Sequence, residues 1–326
     1  YHIMAAGSLL GVAVRQRRMS FPVGQVDFLH LRPLSFREFL AALGETAMVS
    51  ALEKADGKLL KIIHEKLVSR LKEYLYVGGM PEVVSIFAGS RDFAEVRRVQ
   101  LQIIQGYEND FSKYTAPRDV PRIHAVWNSV PLQLTRENRK FVYKYLGAGA
   151  RAREYEMAVE WLILCGLLHR VRRVAKPGVP LAAYESPNAF KLYGLDCGLL
   201  GALARLDSRS PVEGNAIFEE FKGALTEQFV LQELLCSSDW ELAYWEPESG
   251  TAEDDFVVQM EREVIPLEVK AGVNLRARSL ASYRERYAPS FAMRTSLAPL
   301  EWNAGLWNIP LYLISGARQV TQSTTI

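Results

Sequence analysis

Two short apolar segments carry the residues whose types and spacing best suit chemistry on a phosphate group. They are DDFVV at residues 254–258 and VIPLEVK at residues 264–270, separated by a short polar break. Both have the apolar, β-branched pattern of strands, and the break has the length of a hairpin connection. A symmetric hairpin places Asp255 opposite Glu268. Lys270 follows Glu268 by two residues and therefore projects from the same face of the strand.

Two carboxylates and an ammonium group on one face of a sheet suit a divalent cation. Oxygen atoms of Asp255 and Glu268 are ligands of the kind that Mg²⁺ or Mn²⁺ accepts. Lys270 would orient a water molecule or neutralise charge that develops on a phosphate. The alternative is a hairpin with an ordinary structural ion pair, because Glu-x-Lys on a strand is a common pattern.

A helix predicted over residues 221–236 supplies a further candidate. Its residues are apolar around much of the circumference, and Glu227 falls between Leu231 and Leu234 on an apolar side. A carboxylate buried there is costly unless it is paired, protonated or bound to a metal. We therefore add Glu227 to Asp255, Glu268 and Lys270 as a candidate catalytic residue that would complete the metal shell.

Composition limits the class of protein. The chain has 326 residues, of which 49% are hydrophobic, so it can bury a large core in two or three units. The net charge of +2 argues against bulk attraction to nucleic acid, so any such binding needs local basic patches. The three cysteines contain no Cys-x-x-Cys pair and lie in apolar surroundings. With no apolar run of about 18 residues and no signal peptide, we expect a cytoplasmic protein without a membrane partner.

Pattern changes divide the chain into five regions. These are residues 1–45 with an apolar strand at the start, a helical lid or linker at 46–125, a winged-helix-like unit at 126–185, a mixed α/β domain at 186–316, and a polar tail at 317–326 that we expect to be frayed. In the third region, we expect residues 181–184 to form the strand that returns from the wing. We expect the last strand of the fourth region to span residues 309–314.

Basic residues around the winged-helix-like unit are candidates for contact with DNA phosphates. Arg170, Arg172 and Arg173 lie on the predicted wing, and a second basic group lies at residues 136–153. A solvated basic face or an internal docking surface is the alternative. Sequence alone does not separate these possibilities.

Several landmarks in order along the chain together carry a family resemblance. They are AGSLLG at 6–11, RPLSFREFL at 32–40, GGMPE at 78–82, FKLY at 190–193, Glu227, Asp255-Phe256, and PLEVK at 266–270. The chain resembles prokaryotic AAA-type ATPases that carry a C-terminal domain of unknown function, family 4143, itself restriction-endonuclease-like. The resemblance spans nearly the whole chain.

The resemblance implies a function as well as a fold. It implies a remnant of the P-loop ATPase core at the front, and a C-terminal domain of the PD-(D/E)xK class that acts on nucleic acid with Mg²⁺ or Mn²⁺. Ser8 would then end the strand that faces the terminal phosphate of ATP. This sequence contains no G-x-x-x-x-G-K-[ST], so we expect ATP binding, and assembly into a homo-oligomer through the ATPase domain, only in a full-length protein. A non-catalytic module that binds DNA or a protein partner is the alternative function.

Overall fold

The computed structural model describes residues 24–113, 115–207, 216–249, 252–272 and 278–322, without the side chains of residues 216–220. Ser8 and the predicted strand that ends in it lie outside these residues. The expectations for ATP and for assembly through an ATPase domain therefore stay predictions.

Helices dominate the N-terminal half. They are α1 (Phe36–Ala42), α2 (Thr46–Lys54), α3 (Gly57–Ile62), α4 (His64–Val77), α5 (Pro81–Ser90), α6 (Phe93–Phe111), α7 (Val120–Leu134) and α8 (Ala152–Leu164). A short 3₁₀ helix, Tyr143–Leu146, lies between α7 and α8. Local sequence explains several of the boundaries. For example, Ser35 and Glu38 form a reciprocal capping box at the start of α1.

The C-terminal half is built on one eight-stranded mixed sheet. Its strands are β1 (Leu168–Val174), β2 (Glu185–Gly194), β3 (Leu242–Trp245), β4 (Asp254–Met260), β5 (Glu263–Val269), β6 (Ala292–Ser296), β7 (Glu301–Asn303) and β8 (Leu306–Pro310). The strand order is β2-β1-β3-β4-β5-β6-β8-β7. The accompanying helices are α9 (Cys197–Leu203), α10 (Ala216–Ser237), α11 (Arg278–Tyr287) and α12 (Ala317–Gln322). The protein is thus a mixed α/β structure.

The strands that we predicted as a wing belong to this sheet. β1 pairs antiparallel with β2 and parallel with β3, so the sheet continues across the predicted boundary between residues 185 and 186. Residues 181–184, predicted as the returning strand, instead form a 3₁₀ helix, and the return is β2. Leu181 holds this 3₁₀ helix against the sheet, because its side chain is fully buried and its N–H donates to Gln259 Oε1 of β4 at 2.6 Å.

Two predictions near the C-terminus were also wrong. The last strand ends at Pro310 rather than continuing to residue 314, because proline has no N–H to donate to a ladder and a 3₁₀ helix, Leu311–Gly316, follows. Residues 317–322 of the predicted frayed tail form α12. Ala317 and Val320 are buried there, so packing orders this segment.

Each face of the sheet has its own apolar layer. On one face, Phe256 and Leu267 belong to the large core that also contains Phe229 of α10 and the helices of the N-terminal half. On the other face, Trp245 and Tyr283 belong to a smaller cluster under α11. The hairpin β4–β5 lies between these layers, which exclude water from both of its faces.

Candidate active site at the end of the hairpin

The predicted hairpin register is confirmed. Phe256 lies opposite Leu267 and Met260 lies opposite Glu263, as the symmetric hairpin requires, and the ladder ends at Phe256 without a pair between Asp255 and Glu268. The connection is a tight turn in which Glu261 has a φ of 54°. Glu268 therefore lies beside the start of β4, where two aspartates precede Phe256.

An irregularity in β4 separates the two aspartates. The pairing with β3 shifts by one residue between Ala243, opposite Val257, and Trp245, opposite Asp254. Because the face alternates along a strand, this shift puts Asp254 on the side of Trp245 and α11. Asp255 instead contacts Arg139 on the α10 side and, through Oδ2, accepts a hydrogen bond of 2.9 Å from the Val269 N–H. The prediction that Asp255 shares a face with Glu268 was therefore wrong, because Glu268 contacts Ser279 of α11 on the other face.

Glu268 and Lys270 are neighbours, as their spacing predicted. Lys270 Nζ lies 2.5 Å from Glu268 Oε1, and Ser279 Oγ of α11 donates to Glu268 Oε2 at 3.2 Å. Burial raises the pKa of Glu268, and the negative charge of Asp255 raises it further, while Lys270 opposes both effects. Ser279, in the first turn of α11, was not among the predicted site residues.

Asp254 is the main residue of this site that the sequence analysis missed. It is fully buried, and neither carboxylate oxygen has a hydrogen-bond partner among the residues that the structure describes. Burial raises its pKa to about 8, and the charge of Glu268 adds to the effect. The sequence signal was only its adjacency to Asp255, since the irregularity that turns Asp254 toward Glu268 leaves no mark on the pattern.

Glu227 is buried, as predicted, and it is paired with an arginine. Only 1% of its side chain is exposed, and Arg139 forms an ion pair with its Oε1. Tyr193 Oη donates to the other oxygen, Oε2, at 3.0 Å. Arg139 Nη1 also lies 3.4 Å from Asp255 Oδ1, so one guanidinium contacts two of the predicted catalytic carboxylates. The sequence analysis did not predict this role for Arg139, because Arg139 lies in an irregular segment that is distant from both partners along the chain.

The arginines of the predicted wing are neutralised. Arg170 pairs with Glu160, Arg172 pairs with Glu185, and Arg173 pairs with Glu246, at 2.5, 3.1 and 3.2 Å respectively. Arg173 also donates two hydrogen bonds to backbone carbonyl groups. These side chains act within the fold, so the geometry gives no support to the prediction that they contact DNA.

The site suits an open metal centre better than a closed one. In the described part of the chain, no three Asp, Glu, His or Cys side chains converge as ligands. Mg²⁺, however, commonly takes one or two carboxylates and completes its shell with water and substrate phosphate. Glu268, together with Asp254 or Asp255, could supply that number. The unpartnered buried oxygens of Asp254 fit such a cation, because a cation would satisfy them.

Among the residues that the structure describes, no helix combines the length and the apolar character that a membrane span requires.

Family models match two stretches of the chain. The first is a domain of unknown function, DUF8612, at residues 68–210, and the second is a domain of unknown function, DUF4143, at residues 222–314. The protein therefore carries a C-terminal DUF4143 domain, which confirms that part of the resemblance, preceded by a DUF8612 domain that we did not predict. Neither match is to an ATPase or nuclease family. No curated protein and no solved structure matches the chain.

Proposed function

We propose that the DUF4143 domain is restriction-endonuclease-like and hydrolyses phosphodiester bonds in nucleic acid with a divalent cation. The observation that carries this proposal is the position of two buried carboxylates, Asp254 and Glu268, beside Lys270 on the face of the sheet that α11 covers. Burial and the charge of Glu268 raise the pKa of Asp254 to about 8. Buried carboxylates that repel one another are stabilised by a bound cation, so the cluster favours metal binding over an uncharged core.

The order of elements supports the same proposal. From α10 the chain runs through three antiparallel neighbours, β3, β4 and β5, then through α11 to β6, which pairs parallel with β5. It contains the order on which the resemblance to the PD-(D/E)xK class rests: a helix with Glu227, a strand with Asp255, a strand with Glu268 and Lys270, and then a helix and strands. It puts the candidate carboxylates on two adjacent strands and Glu227 on the preceding helix.

Each residue has a role that its surroundings permit. Glu268 and Asp254, which takes the place predicted for Asp255, would hold Mg²⁺ or Mn²⁺, and the cation would supply Lewis acidity and a water of lowered pKa. Lys270, within reach of Glu268, would orient the attacking water or neutralise the phosphate. Asp255, next to Asp254 along β4, contacts Arg139 instead. Glu227 would act mainly through Arg139, because both of its oxygens already have partners.

The test is cleavage of plasmid and single-stranded DNA by the purified chain in Mg²⁺ or Mn²⁺. We expect Glu268→Gln to abolish cleavage and to weaken Mn²⁺ binding, followed by electron paramagnetic resonance. Glu261→Gln, at the exposed turn of the same hairpin, is the matched control and should retain both properties. No cleavage and no Mn²⁺ binding by the unchanged chain would overturn the proposal.

One observation favours the alternative of a non-catalytic binding module. Arg139 already supplies a positive charge to Glu227 and Asp255, so part of the carboxylate set is neutral without a metal. In such a module, Glu268→Gln would leave nucleic-acid or protein binding unchanged. The same variant therefore discriminates between the two functions.

A further inference from the structure

The segment that joins α7 to the first turn of α8 is strongly basic. Residues 136–153 contain six Lys and Arg residues and one acid, Glu137, for a net charge of 6 − 1 = +5, whereas the whole chain has +2. The excess charge belongs to one continuous piece of chain.

Four of these cations are exposed and without a carboxylate partner in the ranges that the structure covers: Arg136, Lys144, Arg151 and Arg153. Arg136 and Lys144 both lie over the ring of Tyr145, at 4.5 and 5.4 Å from its centroid. This differs from the arginines of β1, each of which is paired with a glutamate. The two basic groups therefore differ in their partners. Four cations of residues 136–153 are exposed and have no carboxylate partner in the described residues, whereas the β1 arginines are each paired with a glutamate.

The segment also reaches the candidate active site. Arg139 Nη1 lies 3.4 Å from Asp255 Oδ1, and the next residue, Lys140, forms an ion pair with Glu246, which directly follows β3. The basic segment therefore contacts the candidate site through Arg139 and the end of β3 through Lys140. A polyanion that lay along residues 136–153 would pass Arg139, which contacts Asp255.

We infer that residues 136–153 form the surface that holds the sugar–phosphate backbone of a nucleic acid. This inference rests on the proposed function, because the patch leads to the site assigned to phosphodiester chemistry. Exposed Lys and Arg side chains bind phosphates by releasing condensed counterions, which requires no base-specific contact. Tyr145, with cations over its ring, adds an aromatic surface of the kind that accompanies cations at single-stranded binding sites.

The experiment is fluorescence anisotropy with a labelled 20-nucleotide single strand and, separately, its duplex, in EDTA and over a range of salt concentrations. The test variant is Lys144→Ala Arg151→Ala Arg153→Ala. If all three contact phosphates, the slope of log affinity against log salt should fall by roughly 2 for the single strand, at about 0.7 per contact. The affinity at low salt should fall roughly tenfold or more.

The matched control is Lys58→Ala Lys61→Ala Lys72→Ala, which removes the same charge from exposed positions on α3 and α4. It should leave the slope and the affinity within twofold of the unchanged chain. Equal effects of the two variants, or an unchanged slope in the test variant with both probes, would overturn the inference. So would binding to phosphatidylserine vesicles without binding to either oligonucleotide.

The assay separates this inference from the proposed function. Binding is measured in EDTA, so it does not depend on metal or cleavage. Binding that is lost in the test variant while the unchanged chain never cleaves DNA would support the surface and count against the nuclease. Cleavage that is lost in Glu268→Gln while the test variant binds normally would support the nuclease and count against the surface.

Discussion

Arg139 forms a buried ion pair with Glu227 and, through the same nitrogen, approaches Asp255. Its partner Glu227 has 1% of its side chain exposed, whereas 24% of the Arg139 side chain is exposed. The carboxylates thus face the core and the guanidinium reaches them from the surface segment. The Arg139 guanidinium therefore already supplies a positive charge to Asp255, one of the carboxylates that the sequence predicted as a metal ligand.

Removing Arg139 should destabilise the fold strongly. We expect Arg139→Met to lower the free energy of unfolding by about 3–5 kcal/mol, because it leaves Glu227 buried and without its counterion. The measurement is urea-induced unfolding followed by circular dichroism. Arg136→Met, which changes an exposed arginine of the same segment, should lower the stability by at most about 0.5 kcal/mol.

A double variant isolates the ionic contribution. Arg139→Met Glu227→Gln leaves no unpaired charge, so its stability should lie above that of Arg139→Met alone. Equal stabilities of the single and double variants would show that lost packing, rather than the uncompensated charge, dominates.

Asp254 should make stability fall as pH rises. Its pKa in the folded protein is about 8, against an ordinary value of 3.8. The folded state therefore holds a proton that the unfolded state releases, and the stabilisation present near pH 4 is lost between about pH 4 and 8. Asp254→Asn should flatten this part of the profile, by an amount on the order of 6 kcal/mol. Denaturant unfolding at a series of pH values measures it, with the exposed Asp239→Asn as control.

A divalent cation should reverse the same pH dependence. If Asp254 and Glu268 bind Mg²⁺, the metal competes with the proton, and the shift in Tm caused by Mg²⁺ should be larger at pH 8.5 than at pH 5.5. Asp254→Asn should reduce this difference. A Tm shift that is independent of pH in both proteins would count against a metal at these carboxylates.

How far the site could be predicted depended on whether the signal was local. Alternation along two short strands predicted the hairpin register and the contact between Glu268 and Lys270, and helical periodicity predicted the burial of Glu227. Asp254 could not be placed, because one irregular pairing with β3 decides which face it takes. Periodicity predicts the face of a side chain only where the strand is regular.

The contacts of Arg139 and the extent of the sheet could not be predicted from the sequence, for a different reason. Arg139 lies in a segment without periodic pattern, and its contact with Asp255 joins residues 116 positions apart. The parallel pairing of β1 with β3 also joins distant parts of the chain. Nothing in either local sequence specifies these partners, and therefore the strands of a larger sheet were interpreted as an isolated wing.

Gly79 should tolerate no side chain. A Cβ at this position would lie 2.1 Å from the Leu34 carbonyl oxygen, a backbone atom that accepts a hydrogen bond from the Tyr74 hydroxyl. Because the backbone must move, Gly79→Ala should cost at least about 2 kcal/mol in thermal or urea unfolding. Gly89→Ala is the matched control: nothing lies within 4 Å of its Cβ, and in helix α5 alanine should stabilise by about 0.5–1 kcal/mol.

Glu233 should contribute a second, separable pH dependence far from the carboxylate cluster. It is fully buried on α10, and its Oε1 accepts a hydrogen bond of 2.7 Å from the Phe36 N–H at the start of α1. Burial raises its pKa from 4.5 to about 7. The sign follows as for Asp254: the folded state holds the proton, so stability is lost as pH rises from about 4.5 to 7.

Glu233→Gln keeps an acceptor for the Phe36 N–H but cannot ionise. We therefore expect it to match the unchanged protein near pH 4.5 and to exceed its stability at pH 8 by roughly 3 kcal/mol. Urea unfolding at both pH values measures the difference, and Glu65→Gln at an exposed position of α4 is the control. A Glu233→Gln protein that is less stable at pH 8 would show that the ionised carboxylate strengthens the contact with α1 by more than its burial costs.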